Sequence, residues 1–396
     1  MVWDEMHQAG VVAFERGDYS ESERYLSKAV SEASADQEHL AASLFYLGQV
    51  YEHLQDYAKA EAALTRALAI RGKVLGLEHE EVARVIDELG IVYFNEQKFD
   101  QAEPLLRRGL AMRKKLLGDS HADVADSMVS VASFCETQGK APEAEFLLNS
   151  ALKMQEDLLG PNEPRLAATL GLLAVHAFKT KDYDKATAYA SRGLTIRESA
   201  LGPDHPDVAM SLHVLAMISL GHHDFKSAES YYRHVLTIRE RYLPPNHPGI
   251  ASVLKHLGIS CYCQQKFQEA EGIYEQLENI AEITQNSSDL LFCWRQRSWI
   301  RQNEHKYDEC IAYTQKALAR MKELGVDNKE TRDSLTLSLF SCYVSQKNFL
   351  LAAKTLPNTA FAVGKKLLKD IPFRNNGKAA SRNKNGKTSQ KKNEER

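Results

Sequence analysis

The chain has 396 residues, a net charge of −3 and 43% hydrophobic residues, with 26% charged. No run approaches the 18 apolar residues of a membrane span, and MVWDEMHQAG lacks the basic and apolar regions of a secretory leader. The expected compartment is the cytoplasm, and the six cysteines, Cys135, Cys261, Cys263, Cys293, Cys310 and Cys342, read as small buried hydrophobes rather than a disulfide framework.

The first segment, residues 1–35, predicts a short helix pair with its turn at Gly17-Asp18-Tyr19. Its first helix carries few apolar residues (Trp3, Met6, Val11, Phe14), as suits a terminal capping unit facing water. A repeating unit follows. The aromatic before each second helix recurs as Tyr19, Tyr57, Phe99, Tyr183, Phe225, Phe267, Tyr307 and Phe349, with Ala141 the exception. A fixed period of this kind means stacked supersecondary units.

Six long pairs are predicted, at about 41–78, 82–121, 124–162, 166–204, 208–246 and 250–285. Each first helix has a small residue at one register position, Gly48, Gly90, Ala132, Ala174, Ala216 or Gly258, where the two helices must cross closely. Each second helix has Ala60, Ala102, Ala144, Ala186, Ala228 or Ala270 at another close contact. Several second helices end at Leu-Gly (Leu75-Gly76, Leu117-Gly118, Leu159-Gly160, Leu201-Gly202), where glycine accepts the left-handed terminal conformation. A divergent pair at about 289–324 and a last one at about 330–357 follow, with a further helix predicted over 360–368.

From residue 371 the composition turns to Lys, Arg, Asn, Gly and Ser and predicts a disordered tail. Residues 365–396 carry +8, leaving −11 on the body. Lys378, Arg382, Lys384, Lys387, Lys391 and Lys392 give the tail the means for a salt-sensitive hold on nucleic acid or an anionic membrane.

Two in-register rows invite functional readings. His79, His121, His205 and His247 recur in the inter-repeat loops, but successive helix pairs lie roughly 8–10 Å apart and a zinc ion needs its donors within about 2.3 Å. They therefore read as helix-start structure, and no metal or cofactor is expected. Arg71, Arg113, Arg197 and Arg239, with Gln155 in the remaining slot, read as partners of acids on adjacent helices. No Gly-rich phosphate loop, nucleophile elbow or His-Glu-x-x-His occurs, so no enzyme activity is expected. Glu52, Asp87 and Asn95 are the sole candidates for a catalytic carboxylate/amide cluster.

The motifs Leu47-Gly48-Gln49-Val50-Tyr51, Ala60-Glu61 and Leu201-Gly202-Pro203-Asp204-His205-Pro206-Asp207 make the chain resemble the tetratricopeptide repeat, in its 42-residue kinesin light chain and nephrocystin-3 variety, over about residues 5 to 360. The resemblance implies an all-α, right-handed superhelical solenoid of about nine antiparallel pairs, residues 1–370, whose first helices line a concave groove for a partner's peptide or helix. Carried over by register, the groove positions are Asp87, Ile91, Asn95, Val175, Phe178, Met217, Leu220, Ile259, Tyr262 and Trp299. Val175, Phe178, Met217, Leu220, Ile259 and Tyr262 would form an exposed apolar strip. The asparagines with which kinesin light chains hold cargo are replaced by pairs such as Asp87-Glu88 and His213-Val214. The expected function is a non-catalytic scaffold or adaptor for another protein. The alternative is a regulatory protein targeted by its basic tail.

Overall fold

A computed structural model describes residues 2–33, 36–325 and 329–355, and among these all regular structure is helical. The contacts divide the chain into two compact units, 1–300 and 301 onward. In the first unit, α1 (Val2–Glu15) pairs with α2 (Tyr19–Glu32), α3 (Gln37–His53) with α4 (Tyr57–Val74), and α5 (Glu80–Asn95) with α6 (Phe99–Leu117). Then come α7 (Ala122–Thr137) with α8 (Ala141–Leu159), and α9 (Leu166–Lys179) with α10 (Tyr183–Leu201). Next are α11 (Pro206–Gly221) with α12 (Phe225–Tyr242), α13 (Pro248–Cys263) with α14 (Phe267–Ile283), and most of α15 (Ser287–Asn303), whose last turn crosses the boundary. The second unit holds α16 (Tyr307–Glu323), α17 (Lys329–Ser345) and α18 (Phe349–Thr355). The predicted helix 360–368 and the tail lie outside the described residues.

The repeat rules explain the packing. The close-contact alanines Ala60, Ala102, Ala144, Ala186, Ala228 and Ala270 are all fully buried. So are the second-helix anchors Leu64, Leu148, Tyr232 and Tyr274, each contributing roughly 1.5–3 kcal/mol if treated as a buried large side chain. At the crossing point glycine is a steric requirement where the opposing anchor presses hardest. A Cβ on Gly90 would come within 2.8 Å of Leu106 Cδ2, and one on Gly258 within 2.6 Å of Tyr274 Cζ.

The turn inside each pair carries a feature that residue type does not announce. Gln55, Gln97, Lys181, His223, Gln265, His305 and Lys347, each two residues before the second helix, have φ between 58° and 65°. Glycine fills this left-handed slot only at Gly17 and Gly139. The next residue caps the second helix. Asp18, Asp56, Asp182 and Asp224 accept a backbone N–H there, whereas Lys98, Lys140, Lys266 and Lys306 offer no side-chain cap.

The helix ends differ from the sequence expectation in one respect. Gly118, Gly160 and Gly202 have positive φ but ψ of 170°, 165° and 160°. This is the extended positive-φ region, essentially reserved to glycine, and not the left-handed helical one. It turns the chain sharply out of the helix into the inter-repeat loop. There the histidine row starts the next helix. The Glu81, Asp123, Asp207 and Gly249 amides donate to Nδ1 of His79, His121, His205 and His247 at 3.2, 3.2, 3.1 and 3.0 Å.

The first unit closes on itself. His205, starting α11, presents Nε2 at 3.0 Å from the carbonyl of Glu15 in α1. A Cβ on Gly17 would overlap the Pro206 ring. One pair further along, the backbone at Leu54 faces the buried His247. The turns of the first two pairs therefore rest on the helix starts of the sixth and seventh, and the first helices surround a lumen.

Candidate functional site: the lumen of the first unit

The lumen is a run of adjoining chambers, of which three are larger than about 500 Å³. The middle one, about 540 Å³, is walled by Ile91 and Phe94 of α5, Val129 of α7, Leu172 and Val175 of α9 and Val214 of α11. Gly171 also lines it, and a Cβ there would meet nothing within 4 Å. Arg197, His213 and Arg239 enter the same chamber. Ile91 and Ser130 are shared with a charged chamber of about 520 Å³, and Met210 and Arg239 with one of about 660 Å³ against the closure contact.

The charged chamber is lined by Glu80, Asp87, Glu88, Asp123 and Asp126 against Arg84, Arg113 and Arg165. Asp87 is 4% exposed and meets Arg113 at 2.6 Å, while Ser127 Oγ donates to it at 2.5 Å. Burial pushes its carboxyl up to about 6 despite the Arg113 charge. Glu88 accepts from Gln49 Nε2 at 2.8 Å. Burial first, and the nearby Glu52 second, raise it to about 7. Arg165 pairs with Asp123 and Asp126. The pattern is a charge network facing a partly desolvated space, and it can hold a polar or cationic group.

The arginine row divides in two. Arg71 pairs with Glu81 at 2.8 Å and Arg113 with Asp87, as the sequence leads one to expect. Arg197 and Arg239 depart from that expectation. They donate to Ser211 Oγ (2.7 Å) and the Gly249 carbonyl (2.6 Å), and among the described residues neither forms an ion pair. The acids of their neighbourhood sit elsewhere in the repeat, which residue spacing alone does not reveal. Burial lowers the pKa of both.

The groove positions named from the sequence are not all brought together. Asp87 and Ile91 line the charged chamber, and Ile91 and Val175 the apolar one. Asn95 lines the third chamber and donates to Glu52 Oε1 at 2.6 Å. Phe178, Met217, Leu220, Ile259 and Tyr262 are half-buried rather than an exposed strip, and they line none of the three chambers. Phe178 packs over Gly221 and lies 5.9 Å from the Tyr183 ring, Tyr262 lies 5.7 Å from Phe267, and Leu220 packs on the core around α12 and α13. These side chains lie towards the turn end of the first helices, where they seal neighbouring pairs. Trp299 is half-buried with the Arg295 guanidinium 5.3 Å from its ring centre. The candidate catalytic cluster is divided between chambers, since Glu52 and Asn95 meet while Asp87 faces Arg113. Lys378, Arg382, Lys384, Lys387, Lys391 and Lys392 lie outside the described residues.

Five cysteines are buried, but Cys263 is exposed, a correction to its reading as a core residue. A cluster that the sequence does not suggest joins Glu229, Cys261 and Glu269, with donor atoms within 4.8 Å of one another. Glu229 is already held by Lys266 at 2.6 Å and Arg233 at 2.8 Å, and burial raises the Cys261 thiol to about 11. The arrangement works as an ion-pair network between α12, α13 and α14.

The geometry accords with what the chain resembles. A tetratricopeptide repeat family model matches residues 5–73, 81–157, 165–241 and 223–283. None of the curated proteins is similar enough in sequence to count as a relative. Among solved structures, the nearly identical TPR-like repeats of a kinesin light chain-type protein from Podosopora anserina share 24% identity, covering 52% of this chain and 98% of theirs, with a TM-score of 0.43. The apo form of RapI shares 15% identity over 71% of this chain and 98% of its own, with a TM-score of 0.50. A Rap protein complexed with Competence and Sporulation Factor shares 12% identity over 93% of this chain and 99% of its own, with a TM-score of 0.56. Identities this low bear on the fold alone. The family match spans well over half of the chain, and the chain belongs to the tetratricopeptide repeat family.

Proposed function

We propose that the protein is a non-catalytic scaffold that takes an extended segment of a partner protein into the lumen of its first unit. The observation that carries this reading is the apolar chamber of about 540 Å³ beside Gly171, continuous with a charged chamber on one side and one of mixed lining on the other. Its volume falls in the range of about 300–1,000 Å³ usual for ligand sites. Apolar walls with a few placed charges suit a peptide better than a reaction. The lumen's carboxylates Asp87, Asp123 and Asp126 are already engaged with arginines. The Rap protein complexed with Competence and Sporulation Factor gives a precedent for a helical protein of this fold holding a factor.

Affinity capture with the intact chain, Gly171→Phe and Phe146→Glu tests the reading. The Phe enters the chamber from a position where an added Cβ meets nothing within 4 Å. It also replaces a mid-helix glycine, so stability is expected to hold or rise by up to about 0.5 kcal/mol. Phe146 is 70% exposed and lines none of the chambers. Partners kept by Phe146→Glu and lost by Gly171→Phe support the lumen. Equal capture by all three chains would sink it.

A further inference from the structure

The arginine row is a natural comparison series, because its members occupy one register position on successive second helices. In α4 and α6 the charge is matched by a carboxylate, Glu81 or Asp87. In α8 the position is Gln155, whose amide donates to Asp126 at 2.9 Å and accepts from Thr169 Oγ1 at 2.7 Å. In α10 and α12 the cation remains, but its partners are a hydroxyl and a carbonyl. Asp207 exerts a favourable charge on Arg197 from beyond ion-pair distance, and no carboxylate does so for Arg239.

Taking a cation out of water is costly unless an anion accompanies it. Arg197 is 8% exposed and Arg239 half-buried, and both open into the apolar chamber. His213 lines the same chamber, with its buried Nδ1 lacking any hydrogen-bond partner. The fully buried Tyr232 hydroxyl, on a ring 5.5 Å from that of His213, also lacks one. Burial, reinforced by Arg239, holds His213 neutral, down to about 3. Two cations without an ion-pair partner among the described residues thus line a space whose other walls, apart from His213, Ser130 and Ser133, are mostly hydrocarbon.

We propose that this chamber selects a partner segment bearing an acidic side chain next to an apolar one, with Arg197 and Arg239 holding the carboxylate and Val129, Leu172, Val175 and Val214 the apolar neighbour. The proposal rests on the reading of the lumen as a peptide site and adds the chemistry of its ligand. It also gives the segment a charge asymmetry. The opposite chamber has five carboxylates to three arginines, so a second acid is disfavoured there.

The test is selection of linear peptides from a random library displayed without a free C-terminus, against the full chain and the Arg197→Gln/Arg239→Gln variant. Gln155 shows that glutamine is accommodated at this register. The intact chain should enrich Asp or Glu beside an aliphatic or aromatic residue, and the variant should lose that acid preference. In a recovered peptide, Asp→Asn should weaken binding to the intact chain about ten- to a hundredfold, as expected for a charge-assisted pair. The same change should leave binding to the variant nearly unaltered. Enrichment without acids, or an equal Asp→Asn loss in both chains, would overturn the inference while leaving the lumen reading in place. Failure to recover any peptide with the folded chain, or full retention by Gly171→Phe, would overturn both.

Discussion

His205 Nε2 lies 3.0 Å from the carbonyl oxygen of Glu15, a residue 190 positions earlier in the chain. Because Nδ1 of the same ring accepts the Asp207 amide, Nε2 carries the proton and donates. One imidazole therefore caps α11 and ties α11 to the end of α1. This converts a stack of helix pairs, each touching its neighbours, into a unit whose ends meet around a lumen.

Closure should be sensitive to Gly17. Its φ of +75° is one that other residues enter at a cost of roughly 1–2 kcal/mol, and a Cβ would overlap Pro206. Gly17→Val is expected to open the contact without melting the helices. Small-angle scattering should show a larger radius of gyration at unchanged helical circular dichroism. An unchanged radius would show that the contact does not hold the unit closed.

The histidine row separates capping from closure. His79→Ala removes only a helix start, costing about 0.5–2 kcal/mol. His205→Ala removes the same cap and the Glu15 contact. Denaturant melts should show a loss for both, larger for His205→Ala by the roughly 0.5–1.5 kcal/mol of the extra hydrogen bond. Cross-linking between cysteines placed at positions 16 and 204 should slow only in His205→Ala.

Arg113 and Asp87 form a buried pair at 2.6 Å, sharing Ser127. Arg113→Leu leaves the Asp87 carboxylate without its cation and should cost about 3–5 kcal/mol. The double change Arg113→Leu/Asp87→Leu should recover most of that, since the uncompensated charge is gone. Urea unfolding at pH 7.5 gives both values, and equal destabilisation by single and double variants would refute the pairing.

Glu88 provides a pH signature. Its carboxyl is raised to about 7, chiefly by burial, against about 4.3 in an unfolded chain. The folded state therefore binds the extra proton between those values. Stability from this group is highest below about pH 4.3 and falls as pH rises to about 7, where it levels off. Glu88→Gln keeps an oxygen for Gln49 but cannot ionise. Its stability relative to the parent should rise by an order of 2 kcal/mol between pH 4.5 and 8. A pH-independent difference would contradict the desolvation of this carboxyl.

The helix pairs were legible because their signal is local and repeated. Each landmark aromatic, and Ala141 in its place, is the first residue of a second helix. The left-handed turn residues were not, because Gln55, Lys181 and His223 stand where a glycine would have advertised the conformation. Closure was equally silent, since Gly17 and Pro206 each have an ordinary local meaning and only accumulated superhelical rotation brings them together. The groove was half legible. Ile91, Val175 and Asp87 follow from register, but Phe178 and Leu220 sit close to the turns, where the same register buries them between pairs. The arginine row was visible as a row. Its division into paired and unpaired members depends on acids from neighbouring helices, which no spacing rule supplies.

Maleimide labelling of a Gly171→Cys chain, with and without a library-selected peptide, tests most directly whether recognition happens in the lumen. The exposed Cys263 serves as an internal reference outside the three chambers. The account predicts that bound peptide slows labelling at position 171 at least tenfold and leaves Cys263 unchanged. Equal labelling at position 171 with the peptide bound would place recognition outside the lumen.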